Sequence, residues 1–358
     1  MSEIDNLRKK RDGYTVFDAG LPRFPRNFTR DGILAALLFE DAVMMRDQVR
    51  FCALHQGQKP NPISGEEIGK IFHEFPGFPL RARNTQFNGC DTTGLWLYGL
   101  AKYVEWSGDK SILDELKTAV SQAITYTQTH LREDYLFEES PSYCGADRFA
   151  LKVTYWKDSV LYGRPNGETA WPAVFTLAHV QTLAGVRAIG QVLNSTVILE
   201  LASKMHQALD SLWDDSLGCY ISAMDRLGRM PILTSDTLHM LAYLQPGDIS
   251  SNQLAKIAET VTNLESELGY LVMSGHDAAS LQYDYHAKTV WPFEQGLIHL
   301  GAVKFGLPHI AKICERVVPH IQTSASETLA VSNDLNSPSC DPQLWTLAAR
   351  SYFSKNLS

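Results

Sequence analysis

Thr92–Ser107 reads TTGLWLYGLAKYVEWS, and after Gly108-Asp109 the chain resumes at Ser111–His130 as SILDELKTAVSQAITYTQTH. The first run is apolar almost all round, which predicts a helix buried on every side. The second sets Asp, Glu, Lys and Gln opposite an apolar stripe, which predicts a helix with one wet face. Gly108-Asp109 supplies the break between them. Outward from this pair the alternation recurs: Thr29–Phe39 with Ala42–Gln56, Glu168–Leu193 with Thr196–Trp213, Ser235–Leu244 with Ser250–Glu267, Pro292–Phe305 with Leu307–Thr323, and Pro342–Ser354. Buried and half-wet helices in alternation predict an all-α fold, an (α/α)6 barrel in which an inner ring of parallel helices is wrapped by an outer antiparallel ring. The sequence offers eleven such helices, so the twelfth is expected to be short, N-terminal or absent. An α-solenoid would carry a fixed repeat of about 30 to 45 residues, and none is found.

The 358 residues contain no composition break, low-complexity tract or charged linker, which predicts one domain over 1–358. A hydrophobic share of 44% and an aromatic share of 10% supply a large core with indoles and phenols left over for binding. The net charge of −8 excludes a nucleic-acid backbone as partner. The basic run Arg8–Arg11 is expected to be a solvated end. The six cysteines form no Cys-x-x-Cys pair and the histidines no His-x-x-x-His, so neither disulfides nor a metal site is expected, and no organic cofactor. A polar start and the lack of any long apolar run predict a soluble, cytoplasmic protein without a membrane partner.

Long connections at 57–90, 131–167, 214–234, 268–291 and 324–341 exceed what a helical bundle needs, and such loops usually carry function. The stretch 218–223 predicts hairpins on the same rim. Polar and aromatic clusters precede the expected helices: Thr29-Arg30-Asp31, Cys90-Asp91-Thr92, Trp156-Lys157-Asp158-Ser159, Asn166-Gly167-Glu168, Thr234-Ser235-Asp236, Tyr285-His286 through Glu294, and Cys340 through Trp345. Helix capping accounts for any one of them. Their repetition with Trp, Arg, Asn and Gln predicts a rim that grips a polyhydroxylated ligand, a small sugar or an oligosaccharide.

Hydrolysis of a glycosidic bond needs one carboxylic acid to protonate the leaving oxygen and a second carboxylate to activate water or attack the anomeric carbon. Asp158, Glu327 and Glu294 are the acids in suitable places. Lys157 favours the charged form of Asp158 while Trp156 desolvates it. Glu294, two residues after Pro292, falls at the third helical position, where a carboxylate can also cap. Arg30-Asp31 reads equally as a cap with a salt bridge or as a clamp on hydroxyls. Glu66-Glu67 and Glu138-Glu139 are expected as surface pairs.

These motifs resemble the C-terminal glucosidase domain of glycogen debranching enzymes, and more loosely the (α/α)6-barrel glycosidases that include glucoamylases, trehalases and mannosylglycerate hydrolases. The matching stretches are Thr29-Arg30-Asp31-Gly32, Glu66 through Glu74, Cys90-Asp91-Thr92-Thr93, Tyr155-Trp156-Lys157-Asp158-Ser159, Tyr285-His286 with Thr289-Val290-Trp291-Pro292, and Cys340-Asp341-Pro342-Gln343-Leu344-Trp345, in the family's order across 27–354. The resemblance implies an inverting, exo-acting α-glycosidase of amylo-α-1,6-glucosidase type, with Asp158 as general acid and Glu327 as general base. Arg30, Asp31, Asp91, Trp156, Glu168, His286, Trp291, Glu294, Gln343 and Trp345 are then expected to bind the sugar. The family's base usually follows a proline, whereas Ser326 precedes Glu327, which leaves Glu294 as the other position for the base. The N-terminal domains common in debranching enzymes are lacking, so specificity for branched glycans stays open. Two other functions fit such a barrel: a sugar epimerase or isomerase working through His286, His73 or His239, and a carbohydrate-binding protein without catalysis.

Overall fold

In the computed structural model the described residues are 2–159, 161–274, 286–330 and 339–357. Tyr285 and parts of the loops at 268–291 and 324–341 lie outside them. Six helical segments form the inner ring: Thr29–Phe39, Thr92–Ser107, Thr176–Val192, Asp236–His239 prolonged by a 3-10 turn at Met240–Ala242, Pro292–Lys304, and Leu344–Asn356. Each packs on the next, and Leu344–Asn356 packs back on Thr29–Phe39, so the ring closes. The outer layer is Ala42–Leu54, Lys117–Thr129, Thr196–Leu209, Ser251–Thr260 and the segment Pro308–Cys314 continued to Val318–Ile321. The twelfth place falls to the short helix Glu3–Leu7, which packs on Leu344–Asn356 and joins it through Glu3 and Arg350 at 2.5 Å.

The two kinds of helix bury what their sequences foretell. Thr92–Ser107 buries residues on all faces, including Leu95, Trp96, Leu97, Leu100 and Val104. Lys117–Thr129 buries only a stripe, Val120, Ala123, Ile124, Tyr126 and Thr127, at the spacing of a one-sided helix. One contiguous cluster of buried apolar side chains runs from Leu7 to Phe353.

Several boundaries differ from the sequence reading. The helix expected from Glu168 starts at Thr176, because Ala173–Phe175 is a strand paired with Ala223–Asp225, itself paired with Gly228–Met230. Pro172 biases Trp171 away from helical geometry, and a partner strand some 50 residues away completes the choice. The run Ser111–His130 divides at Leu116 into Ser111–Glu115 and Lys117–Thr129. Cys219–Tyr220 pairs with Trp213–Asp214, so the 218–223 stretch serves two hairpins. Arg8–Arg11 is no loose end but a strand on Tyr14–Phe17, its alternate side chains half-buried. Glu67 and Glu139 are buried as well: Lys70 bridges them at 3.3 and 2.9 Å, and His130 bonds Glu67 at 2.8 Å. A lysine fully removed from water forces its counter-ions inward. No described helix is long and apolar enough to cross a membrane.

The second and third inner helices meet at Gly94 and Gly185. A Cβ on Gly185 would stand 2.1 Å from the carbonyl oxygen of Gly94, and one on Gly94 would stand 2.5 Å from Thr182 Cα. These neighbours are backbone and cannot swing aside. Gly185→Ala is therefore expected to lower unfolding stability by about 1–3 kcal/mol in a denaturant titration. Ser121→Ala on the exposed face of the outer ring should stay within about 0.5 kcal/mol of the unaltered chain.

Candidate active site

A test separates caps from ligand contacts at the helix openings. In the outer ring Asp41, Ser195 and Ser250 each accept from a backbone N–H of the first turn, while Leu116 and Leu307 open the other two helices without a side-chain cap. In the inner ring Phe28, Asp91, Phe175, Ser235 and Trp291 occupy the cap positions, and none makes a side-chain cap bond. Gln343 is the exception, accepting from Leu344 N–H at 3.2 Å. The polar groups at the inner openings are thus committed to one another and to a cavity of about 400 Å³ that they surround.

Arg30, Asp31, Trp156, Asp158, Trp291, Glu327, Gln343 and Trp345 all line this cavity. Asp91 stands behind it. Its two oxygens accept from Arg30 Nε at 2.8 Å and Nη2 at 2.9 Å, a bidentate fork that aims the guanidinium. Burial opposes the charge on Arg30, but Asp91 outweighs it and holds the pKa above its ordinary value. Asp31 moves the other way: burial, with the charges of Glu327 and Asp158, raises its pKa well above the ordinary carboxylate range, and Arg30 only partly counters this.

Glu327 sits in a loop stapled to the start of the sixth inner helix. Its N–H donates to Cys340 O at 2.9 Å, Gln343 N–H to Ala325 O at 2.9 Å, and Thr346 Oγ1 to Ser326 O at 2.9 Å. The strand pair Val290 with Leu329 brings the loop beside Trp291. The carboxylate accepts from Gln343 Nε2 at 3.3 Å and from Cys340 N–H at 3.4 Å. Burial pushes its pKa up to about 7; the Asp158 charge adds to this, while the Cys340 N–H and the nearby His286 and Arg23 oppose it. Ser326, standing where a proline was expected, bonds Thr328 O and Ser339 Oγ and so fastens the loop from within.

Asp158 keeps a quarter of its side chain exposed, and its Oδ2 lies 4.0 Å from His73 Nε2. Burial, then the charges of Arg30 and Arg26, pull the His73 pKa well below its ordinary value, so the ring is neutral. The indoles form an interlocked floor: Trp156 and Trp345 each meet Trp291 edge-on at 5.7 Å, and Trp345 stacks on Phe293 at 4.0 Å. Trp345 Nε1 and His73 Nδ1 are buried and bond to no protein group.

Besides Asp91, three further expected contacts lie elsewhere. Glu168 pairs with Arg81 at 2.5 Å beside a separate cavity of about 260 Å³, because the chain it occupies is loop and not helix. His286 is buried under the floor, stacked on Trp291 at 5.0 Å with Nδ1 2.8 Å from Ser159 Oγ. Glu294 is wholly buried, accepts from Ser235 Oγ at 2.7 Å and lies 3.4 Å from His239 Nδ1. In exchange, Phe24, Arg26, Phe28, Glu74, Phe78 and Leu80 line the cavity without having been singled out for it. The pairing of Asn27–Phe28 with Glu74–Phe75 delivers two of them, and in the sequence only the matching stretch Glu66 through Glu74 pointed to it.

Among the described residues two clusters have metal-like spacing, Glu67 with His130 and Glu139, and Asp236 with His239 and Glu294. Each already contains a lysine ammonium. Lys70 lies 2.9 Å from Glu139 and Lys157 lies 3.0 Å from Asp236, so the positive charge is supplied by the chain.

No family model matches the chain, and no curated protein matches it in sequence. Solved structures do. A family 63 mannosylglycerate hydrolase from Thermus thermophilus, in complex with Tris and D-glycerate, is 11% identical over 98% of both chains with a TM-score of 0.72. The same enzyme with glucose is 13% identical over 98% of both, with a TM-score of 0.67. A rhamnosidase from Klebsiella oxytoca with rhamnose bound is 14% identical over 96% of this chain and 60% of its own, with a TM-score of 0.61. The chain therefore has the (α/α)6-barrel fold of these glycoside hydrolases.

The arrangement makes a direct electrostatic prediction. Glu327 should titrate at about pH 7 in ¹³C NMR of glutamate-labelled protein. Asp158→Asn should lower that value, since it removes a negative charge that opposes ionisation. Because the folded-state pKa exceeds the ordinary 4.5, this group's contribution to stability is complete below 4.5 and is lost as pH rises towards 7. A titration in the ordinary carboxylate range would contradict the burial described above.

Proposed function

We propose that residues 1–358 form one catalytic domain, an inverting, exo-acting α-glycosidase. In this reading Asp158 protonates the leaving oxygen and Glu327 takes a proton from the attacking water. The observation that carries it is a pair of carboxyl groups lining one cavity in unlike environments, Asp158 partly exposed and Glu327 buried with its pKa raised to about 7. A base whose pKa lies close to neutral pH is well matched to general-base work there. Asp31, Arg30 and Gln343 supply hydrogen bonds for sugar hydroxyls, and the indole floor supplies apolar surface for the faces of the ring. A cavity walled by the loops 57–90 and 131–167 admits one chain end, which supports exo attack with α-glucosides as substrates. A barrel of this fold solved with glucose supports a hexose in the pocket.

The epimerase reading is weaker, since His73 lines the cavity while His239 and His286 stand behind its wall. Free, buried cysteines support a reducing, cytoplasmic setting.

The reading is tested on isomaltose and a short panel of α-glucosides. Asp158→Asn should abolish most turnover of unactivated substrates while the fold survives. Glu327→Gln should do the same, and azide should partly restore activity by replacing water; Glu294→Gln should show no such rescue. Single sugars of inverted anomeric configuration should appear first by NMR. For the unaltered chain kcat/KM should fall as pH drops below about 7, because protonated Glu327 cannot accept a proton. Retention of the anomer, or internal cutting of long polymers, would defeat the proposal. No hydrolysis across the panel would favour a binding role.

A further inference from the structure

Three consecutive side chains ahead of Asp158 turn to one buried carboxylate. Tyr155 Oη donates to Asp236 Oδ2 at 3.1 Å, Trp156 Nε1 donates to Oδ1 at 2.9 Å, and Lys157 Nζ pairs with Oδ1 at 3.0 Å. Thr234 Oγ1 adds a fourth donor to Oδ2 at 3.1 Å. A carboxylate has about four lone-pair sites, so Asp236 is saturated. The chain bends at residues 155–157, and three side chains in a row are gathered by one acceptor, which fixes the backbone that leads into residue 158.

The anchor is buried on the barrel itself. Asp236 opens the fourth inner helix and is 3% exposed, and Lys157, 1% exposed, is also held near Ser235 Oγ at 3.2 Å and Val272 O at 3.4 Å. Tyr155 stacks on Phe175 at 4.8 Å, which ties the same segment to the third inner helix. Asp158 follows this clamp directly and retains a partly exposed side chain at the cavity.

We propose that Asp236 is the positioning residue of the site: through Tyr155, Trp156 and Lys157 it holds Asp158 where a leaving oxygen can take its proton. The inference rests on the reading of Asp158 as the acid, and leaving groups separate the two. A dinitrophenolate departs without a proton, whereas the glucose leaving from isomaltose needs one. Asp236→Asn should therefore cut kcat on isomaltose about 100-fold or more, the scale of a general acid's contribution. On 2,4-dinitrophenyl α-glucoside it should cost less than about threefold, with KM for both nearly unchanged.

Asp236→Asn also strands the Lys157 ammonium inside the protein, which is strongly destabilising. The double variant Lys157→Met/Asp236→Asn removes that charge, so its thermal unfolding should return towards that of the unaltered chain while the isomaltose defect persists. Tyr155→Phe, which loses a single bond, should give a smaller defect of the same kind. An equal loss on both glucosides, or full isomaltose activity in the folded double variant, would overturn the positioning role. If the unaltered chain cleaves neither compound, the glycosidase reading falls and takes this inference with it.

Discussion

The fork between Arg30 and Asp91 sets the terms for the cavity. It joins the openings of the first two inner helices, and it puts a permanent positive charge where water is scarce. A buried pair of this kind adds little to net stability, but either half alone would be costly. The charge then tunes its neighbours. It restrains the rise in the Asp31 pKa, and it helps keep His73 neutral, so that the imidazole next to Asp158 is not a competing cation. Glu327 lines the same cavity, and burial dominates its titration over the opposing charges of His286 and Arg23. In Asp31 and Glu327 alike burial outweighs the nearby cations, so both acids are held above the ordinary carboxylate range.

The barrel was legible because its signal is local and repeated. Thr92–Ser107 and Lys117–Thr129 announce inner and outer rings through the width of their apolar faces, although the break at Leu116 was not read in advance. Legibility ended where distant partners decide. Ala173–Phe175 is a strand because Ala223–Asp225 lies beside it, and Glu139 is buried because Lys70 needs it. No window of sequence around 168 or 139 contains those facts.

The candidate site divides along the same line. Residues at helix openings, such as Arg30, Trp291 and Gln343, reach the cavity because the helix places them there. Asp91 and Glu294 occupy equivalent openings yet turn to Arg30 and Ser235, a choice made by the partner across the ring. Glu168 failed for a plainer reason, since the helix credited with presenting it begins eight residues later. The wall at Phe28 and Glu74 needed a strand pairing between residues more than 40 apart.

Closure of the ring has a consequence for biosynthesis. Leu21 N–H bonds Pro342 O, Leu344 N–H bonds Ala19 O, and Glu3 meets Arg350 across 347 positions. The apolar flank of Thr29–Phe39 that Leu344–Asn356 covers stays bare until synthesis has passed residue 356. At about 5–20 residues per second, a ribosome-bound chain spends on the order of tens of seconds as an open crescent with a sticky edge. Gln343, Trp345 and the Glu327 loop then join the cavity only after the other five inner helices have been synthesised.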